Sequence, residues 1–98
     1  MASLRFEWDP RKATTNLRKH GISFAEAETA FSDDFAVVAE DPDRPDGEER
    51  FLLLGMSGGL RVLLVVHCIR EAGSVVRLIS ARKATRSERA QYDARWKS

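Results

Sequence analysis

The sequence has 98 residues, of which 43% are hydrophobic and 32% charged, a mixture typical of one ordered globular domain and not of a disordered tail. The lone cysteine, Cys68, excludes an internal disulfide and suits a reducing compartment. The first residues carry no apolar signal-peptide core, and the longest apolar run, Val62–Val66, is far shorter than the ~20 residues that cross a bilayer. We therefore expect a single domain over residues 1–98, located in the cytoplasm and without a membrane partner.

Charge is distributed unevenly along the chain, although the net charge is only +1. Residues 22–49 hold ten acids and one base, Arg44, whereas residues 50–98 hold ten bases and three acids. Twelve of the 16 bases are arginine, whose planar fork of donors suits phosphate. The basic half predicts a surface for nucleic acid or for an acidic protein partner, and charge alone does not separate the two.

Two helices are predicted at the start of the chain. The pair Asp9-Pro10 is typical of an N-cap followed by the first helical position, and Gly21 is typical of a C-terminal cap, so residues 10–20 should be helical. The capping-box pattern Ser23-Phe24-Ala25-Glu26 predicts a second, short helix that continues to about Phe31.

Four strands should follow, because runs of valine, leucine and phenylalanine are separated by turn residues. Their ranges are 35–40, 50–56, 60–70 and 75–81. The connections are a loop with two prolines at 41–47, a tight hairpin at Ser57-Gly58-Gly59 and a turn at 71–73. The run at 60–70 is apolar on both faces, which places it at the centre of a sheet.

A last helix is predicted from a second capping box, Thr85-Arg86-Ser87-Glu88, to about Lys97. Tyr92 and Trp96 would share one helix face, which docks on the sheet or meets a partner. The element order therefore predicts an α+β domain with two N-terminal helices, a four-stranded antiparallel sheet and a C-terminal helix.

No motif for a metal ion or an organic cofactor is visible in the sequence, so we expect neither. His20 and His67 are far apart, and Cys68 should point to the opposite strand face from His67. Neither a glycine-rich phosphate loop nor a nucleophile elbow appears.

The densest chemistry lies in the stretch from His67 to Arg89. Its basic side chains are His67, Arg70, Arg77, Arg82, Lys83, Arg86 and Arg89. Cleavage of RNA by its own 2′-hydroxyl needs a base, an acid and cations that stabilise charge developing on the phosphate, and it needs no cofactor. Residues of these types could supply all three.

Several candidates also have a purely structural explanation. His20, at a helix C-terminus, could stabilise the helix dipole, and His67, in an apolar strand, could be a core residue. By strand alternation Arg77 would share a face with Val75 and Ile79, where a charge is unusual. Arg82 and Lys83 could simply flank the last helix.

Three parts of the sequence resemble the BrnT family of toxins. They are Phe6–Pro10 with Asn16–Phe24 and Glu26-Ala27, then Asp41 with Glu48–Phe51 and Gly55, and finally Val76–Thr85 with Glu88-Arg89 and Tyr92. The resemblance covers nearly the whole chain in order. It implies a RelE-like ribonuclease fold, with a small antiparallel sheet packed by helices, and an endoribonuclease activity that stops translation.

The resemblance also implies site residues and partners. The positions that match the family's motifs are His20, Glu49, Arg50, Arg77, Ser80, Arg82 and Lys83. The implied partner is a cognate BrnA antitoxin, which binds the toxin through one part and DNA through a ribbon-helix-helix part, so that the complex represses its own operon. A free monomer and a heterotetramer with two antitoxins are both compatible with the sequence.

The first hypothesis is a metal-independent endoribonuclease that contacts DNA only through its antitoxin. The catalytic candidates are His20, Glu49, His67, Arg77 and Arg82, and the RNA-binding candidates are Arg50, Arg70, Ser80 and Lys83. Arg77 and Arg82 would bind the scissile phosphate with help from Lys83, and His20 or His67 would transfer protons, alone or with Glu49. The alternatives are a non-catalytic basic binding module for a protein or nucleic-acid partner and a degenerate toxin that keeps the fold without activity.

Overall fold

The computed structural model describes residues 4–97, apart from the side chains of residues 96 and 97. The elements are β1 (Arg5–Glu7), α1 (Pro10–His20), α2 (Phe24–Thr29), a 3₁₀ turn (Ala30–Ser32), β2 (Val37–Glu40), β3 (Arg50–Met56), β4 (Val62–Arg70), β5 (Val75–Lys83) and α3 (Arg86–Lys97). The strands form one sheet in the order β1-β5-β4-β3-β2.

The sheet has five strands and is mixed, which corrects the predicted four-stranded antiparallel sheet. The additional strand, β1, pairs in parallel with the start of β5, and Arg5 N–H donates to the carbonyl of Ser74 at 3.0 Å. The remaining neighbours are antiparallel, as predicted. Three residues are too few to show an alternating pattern, so β1 depends on a partner strand about 70 positions away.

The main core lies between one sheet face and the two N-terminal helices. Its fully buried side chains include Ile22 and Phe24 from the helical layer and Leu63, Val65 and Leu78 from the central strands. Helical and strand residues thus bury one face of the sheet, as expected for an α+β domain.

Local capping explains where the first two helices begin and end. The Asp9 carboxylate accepts from the Arg11 N–H at 2.8 Å, and Gly21 ends α1 in the left-handed conformation with φ 71°. Ser23 Oγ accepts from the Glu26 N–H at 3.0 Å. The Glu26 carboxylate, however, binds Arg61 at 2.6 and 2.9 Å. Those hydrogen bonds lower the pKa of Glu26 to about 2, against the opposing effect of burial.

Asn16 attaches α1 to the free edge of β5, beyond the end of β1. Its side-chain amide donates to the carbonyls of Ala81 and Ile22 at 2.8 and 2.9 Å, and its oxygen accepts from the Ala81 N–H at 3.0 Å. Asn16 therefore satisfies both backbone groups of Ala81, much as a neighbouring strand would.

The last helix covers one end of the opposite sheet face, where Tyr92 packs with Leu54 and Val62. The Tyr92 hydroxyl donates to Asp33, which also accepts from the Met56 N–H at 2.7 Å. The predicted capping box at Thr85 and Glu88 is present, with backbone-to-side-chain bonds of 2.8 and 3.2 Å. The prediction that Trp96 shares this helix face with Tyr92 falls on a side chain outside the described part of the structure.

The hairpin between β3 and β4 differs from the prediction. Ser57 N–H donates to the carbonyl of Arg61, and the residue with positive φ, 63°, is Leu60 and not a glycine. Strand β4 consequently begins at Val62 instead of position 60. Strand β2 likewise begins at Val37 and not at Phe35.

Candidate functional site

A β-bulge in β5 decides which side chains share a sheet face. Leu78 lies opposite His67 and Ser80 lies opposite Val66, so Ile79 is an extra residue between them. Arg77 and Arg82 are five positions apart and would occupy opposite faces of a regular strand. The extra residue restores them to one face. The sequence placed Ile79 on the same strand face as Arg77, but the bulge at Ile79 interrupts the alternation between them.

The face opposite α1 and α2 carries four of the predicted site residues, and we call it the arginine face. Its defining residues are Arg50, Arg77, Ser80 and Arg82. Arg50 and Arg77 both lie opposite Cys68, one from each side. Two strand spacings separate them, or about 10 Å between backbones. Each guanidinium group binds a carboxylate on its outer side, Asp41 for Arg50 and Glu7 for Arg77, so both would have to leave these ion pairs to grip one phosphate.

A carboxylate holds each arginine of this face. Arg77 binds Glu7 at 2.8 Å and Arg50 binds Asp41 at 2.9 Å. Arg82 binds Glu88 at 2.8 and 3.0 Å in a bidentate pair. Hydrogen bonding from Arg82 lowers the pKa of Glu88 to about 2 against the opposing effect of burial, so this carboxylate is ionised at neutral pH. The pairs orient the guanidinium groups and also neutralise part of their charge.

Cys68 lies between Arg50 and Arg77 but is only 3% exposed. Burial, together with the Glu48 carboxylate that accepts from its Sγ at 3.0 Å, raises the pKa of the thiol to about 11. The side chain is therefore a neutral thiol at physiological pH and a poor nucleophile.

His20 lies in a cleft between α1 and the edge of β5. The cleft is lined by Arg11, Lys12, Thr15, Asn16, Lys19, His20, Ile79 and Ser80. Ser80 thus connects the cleft to the arginine face. The exposed bases Arg11, Lys12 and Lys19 were not selected from the sequence, although α1 contains four lysine or arginine residues and no acid. This excess of bases in α1 is the sequence signal that could have identified Arg11, Lys12 and Lys19.

His67 lies on the opposite side of the sheet, away from the arginine face. It is 2% exposed, and its ring packs edge-on against Phe31 with 4.8 Å between ring centroids. Burial lowers its pKa, although a weak contact to the Val65 carbonyl acts in the other direction. This position corrects the expectation that His67 joins the arginines, because a neutral core imidazole has no access to a phosphodiester.

The other predicted residues lie at the margins of the site. Arg70 and Glu49 are exposed and line a shallow cleft beside Cys68. Lys83 lies opposite Leu63, a residue of the main core, and therefore does not share the arginine face. It lines a separate basic cleft with Arg61, Arg86 and Arg89.

Within residues 4–97 no group of three or more histidine, cysteine, aspartate or glutamate side chains is placed to hold a metal ion. No helix in the same part of the chain is long and apolar enough to span a membrane.

Together, the mixed sheet, the helical layer and the arginine face define a small α+β protein whose half-buried arginines and exposed α1 bases suit a polyanion. The model of a family described as "Ribonuclease toxin, BrnT, of type II toxin-antitoxin system" matches residues 8–88. The chain belongs to this family of ribonuclease toxins, and membership implies an RNA substrate and an antitoxin partner.

A solved structure agrees with this assignment. The chain is similar to the ribonuclease toxin BrnT of Brucella abortus, with a TM-score of 0.64 and 29% sequence identity, over 86% of this chain and 100% of that one. A search of curated proteins found no significant match.

Proposed function

We propose that the protein is a metal-independent endoribonuclease that acts in the cytoplasm and inhibits translation by cutting RNA at the arginine face. The observation that carries the proposal is the bulge at Ile79, which brings Arg77, Ser80 and Arg82 to one face beside Arg50. The cleft that contains His20 opens at the same serine.

In this mechanism the 2′-hydroxyl of the substrate attacks the adjacent phosphorus, and the bond from phosphorus to the 5′-oxygen breaks. Arg77 and Arg82 bind the phosphate from the same face, with Arg50 beside Arg77, and these cations stabilise the negative charge that develops on the phosphate oxygens. His20 either accepts the proton of the attacking 2′-hydroxyl or donates one to the leaving 5′-oxygen, and water exchanges the other proton. Ser80 and the bases of α1 hold the neighbouring nucleotides. Arg70 and Glu49 lie beside the path of the RNA and contribute to its binding and orientation.

The test is cleavage of RNA by purified protein in the presence of EDTA. Arg77→Ala, Arg82→Ala and His20→Gln should each lower the cleavage rate on the order of 100-fold, the usual cost of losing one stabilising or proton-transferring group. His67→Phe should keep the parental rate within a few-fold, because that ring packs in the core.

Two controls separate catalysis from folding. Arg18→Ala removes an exposed arginine of α1, which lies against the opposite sheet face and does not line the cleft of His20, and should not change the rate. Glu88→Ala removes the carboxylate that pairs with Arg82 and leaves the positive charge of Arg82 in place. If Arg77→Ala and Arg82→Ala stay folded and cleave as the parent does, the proposed mechanism is wrong. If the protein binds RNA without cleaving it, the result supports a non-catalytic binding module. The ion pairs that already occupy the arginines are consistent with that alternative.

We further propose that the antitoxin is a BrnA-like ribbon-helix-helix protein encoded by the neighbouring gene. The complex, a heterotetramer in the simplest symmetric case, would bind operator DNA through the antitoxin and repress its own operon. The product of that gene should bind this protein and suppress cleavage of RNA, as a pull-down and the cleavage assay together measure.

A further inference from the structure

The outer strand β2 presents unpaired backbone groups along one edge of the sheet. Among the described residues it pairs with β3 alone. Asp41 N–H donates to the carbonyl of Arg50 at 2.9 Å, and bonded and non-bonded pairs alternate in an antiparallel ladder. The N–H and C=O groups of Val37 and Ala39 therefore face β3. Those of Val38 and Glu40 point outward, where a further strand can bind them.

This edge strand is short and ends in a charged residue, Glu40, but two other features that normally prevent strand addition are absent from it. The sequence Val37-Val38-Ala39-Glu40 contains no lysine or proline, and Val38 is 55% exposed. An uncovered apolar edge of this kind is a site for an extended segment, whose main chain supplies the hydrogen bonds.

The acidic residues around this edge indicate what kind of segment can bind to it. Residues 33–49 carry eight acids and a single base, Arg44, which already pairs with Glu40 at 2.8 Å. Pairing β2 with β2 of a second copy would bring two such acidic segments together, and like charges across a contact disfavour association. A basic segment meets complementary charge instead.

We propose that β2 binds a basic, extended segment of a protein partner by strand addition. The inference rests on the proposed function for the identity of that partner, which is the antitoxin. Strand β5, with Arg77 and Arg82, lies three strand spacings away, or about 14 Å. Changes confined to the outer edge of β2 should therefore leave the cleavage of RNA intact.

The experiment compares Val38→Pro with Val38→Ala in the full chain. Proline at position 38 removes the outward N–H but no hydrogen bond to β3. Alanine keeps that N–H and therefore controls for the loss of the valine side chain. The probe is the purified product of the neighbouring gene. Val38→Pro should weaken its binding about ten-fold or more, the effect of one lost hydrogen bond and a blocked strand, while Val38→Ala stays within a few-fold of the parent.

A charge variant and hydrogen exchange complete the test. The double variant Asp34→Lys with Asp43→Lys should also bind the probe more weakly than the parent does, and its binding should depend less on salt. In the unmodified protein, the amide protons of Val38 and Glu40 should gain protection when the complex forms, a readout that does not require Val38→Pro to fold.

Three results would overturn strand addition: parental affinity in folded Val38→Pro, no added protection at Val38 and Glu40, or no binding of the probe. Concentration-dependent self-association that protects the same amides would assign the edge to a second copy. If the parent binds through β2 but does not cleave RNA, the ribonuclease proposal fails and the inference about the edge stands.

Discussion

Asn16 shows how one side chain can complete a sheet. Beyond Glu7 the parallel strand β1 ends, so the backbone of β5 near Ala81 has no neighbouring strand on that side. Asn16 is 5% exposed and supplies both a donor and an acceptor to Ala81. A buried backbone pair without partners is costly, which makes this contact important for stability.

Asn16→Ala should lower the free energy of unfolding by about 3 kcal/mol, because it leaves the N–H and C=O of Ala81 without partners in a buried site. Urea unfolding followed by circular dichroism measures the change. The matched control is Thr15→Ala on the exposed side of the same helix, which should stay within about 0.5 kcal/mol of the parent. A loss for Asn16→Ala as small as that of the control would mean that water replaces the contact.

At the level of elements, two buried or half-buried ion pairs join helices to the sheet. Arg82 of β5 holds Glu88 in the first turn of α3, and Arg61 next to β4 holds Glu26 of α2. Hydrogen bonding to these arginines lowers the pKa of both carboxylates from 4.5 to about 2. Their stabilising effect is present above pH 4.5 and is lost as the pH falls towards 2.

The free energy of unfolding should therefore decrease between pH 4.5 and pH 2, because protonation of Glu26 and Glu88 breaks their pairs with arginine. Glu88→Gln should reduce this pH dependence by removing one of the carboxylates whose pKa is lowered in the folded protein. Urea midpoints at pH 6 and pH 3 give the comparison. Glu28→Gln serves as the control, since Glu28 forms no salt bridge among residues 4–97, and it should leave the pH dependence unchanged. Identical pH profiles for Glu88→Gln and the parent would contradict this account.

On the scale of the whole molecule, charge is separated across the sheet. The acids of residues 33–49 surround β2 at one edge, whereas the bases of α1 lie beside β5 towards the other. In the proposed function, the phosphates of RNA draw it to the basic side, and the acidic edge is left for a protein partner. The two ligands of the proposed function thus approach different sides of a single small domain.

This separation predicts that bases in the α1 cleft contact RNA phosphates. Arg11→Ala should weaken the binding of a 2′-O-methyl RNA, which cannot be cleaved, and should lower the slope of log affinity against log salt by about 0.7, the value for one phosphate of a single strand. Fluorescence anisotropy across a salt series measures both. Arg18→Ala is the matched control, because Arg18 is exposed on the same helix but does not line the cleft. Equal slopes for the two variants would exclude the cleft from the RNA path.

Much of the local structure could be predicted from residues close together in the chain. Asp9, Gly21 and Thr85 mark the helix ends because capping depends on side chains within about three positions. Strand β3 was predicted with its observed bounds, and the family resemblance was confirmed by the match over residues 8–88.

Only the tertiary structure decided which candidates meet. The sequence by itself determined the helices, the strands other than β1, their order and an excess of arginine in the second half. The pairing of β1 with β5, the bulge at Ile79 and the burial of His67 depend on the register between distant strands. One extra residue in a strand moves every later side chain to the other face, and no local pattern marks that residue. For that reason Arg77 and Arg82 lie on one face of the sheet while His67 is buried beneath the other.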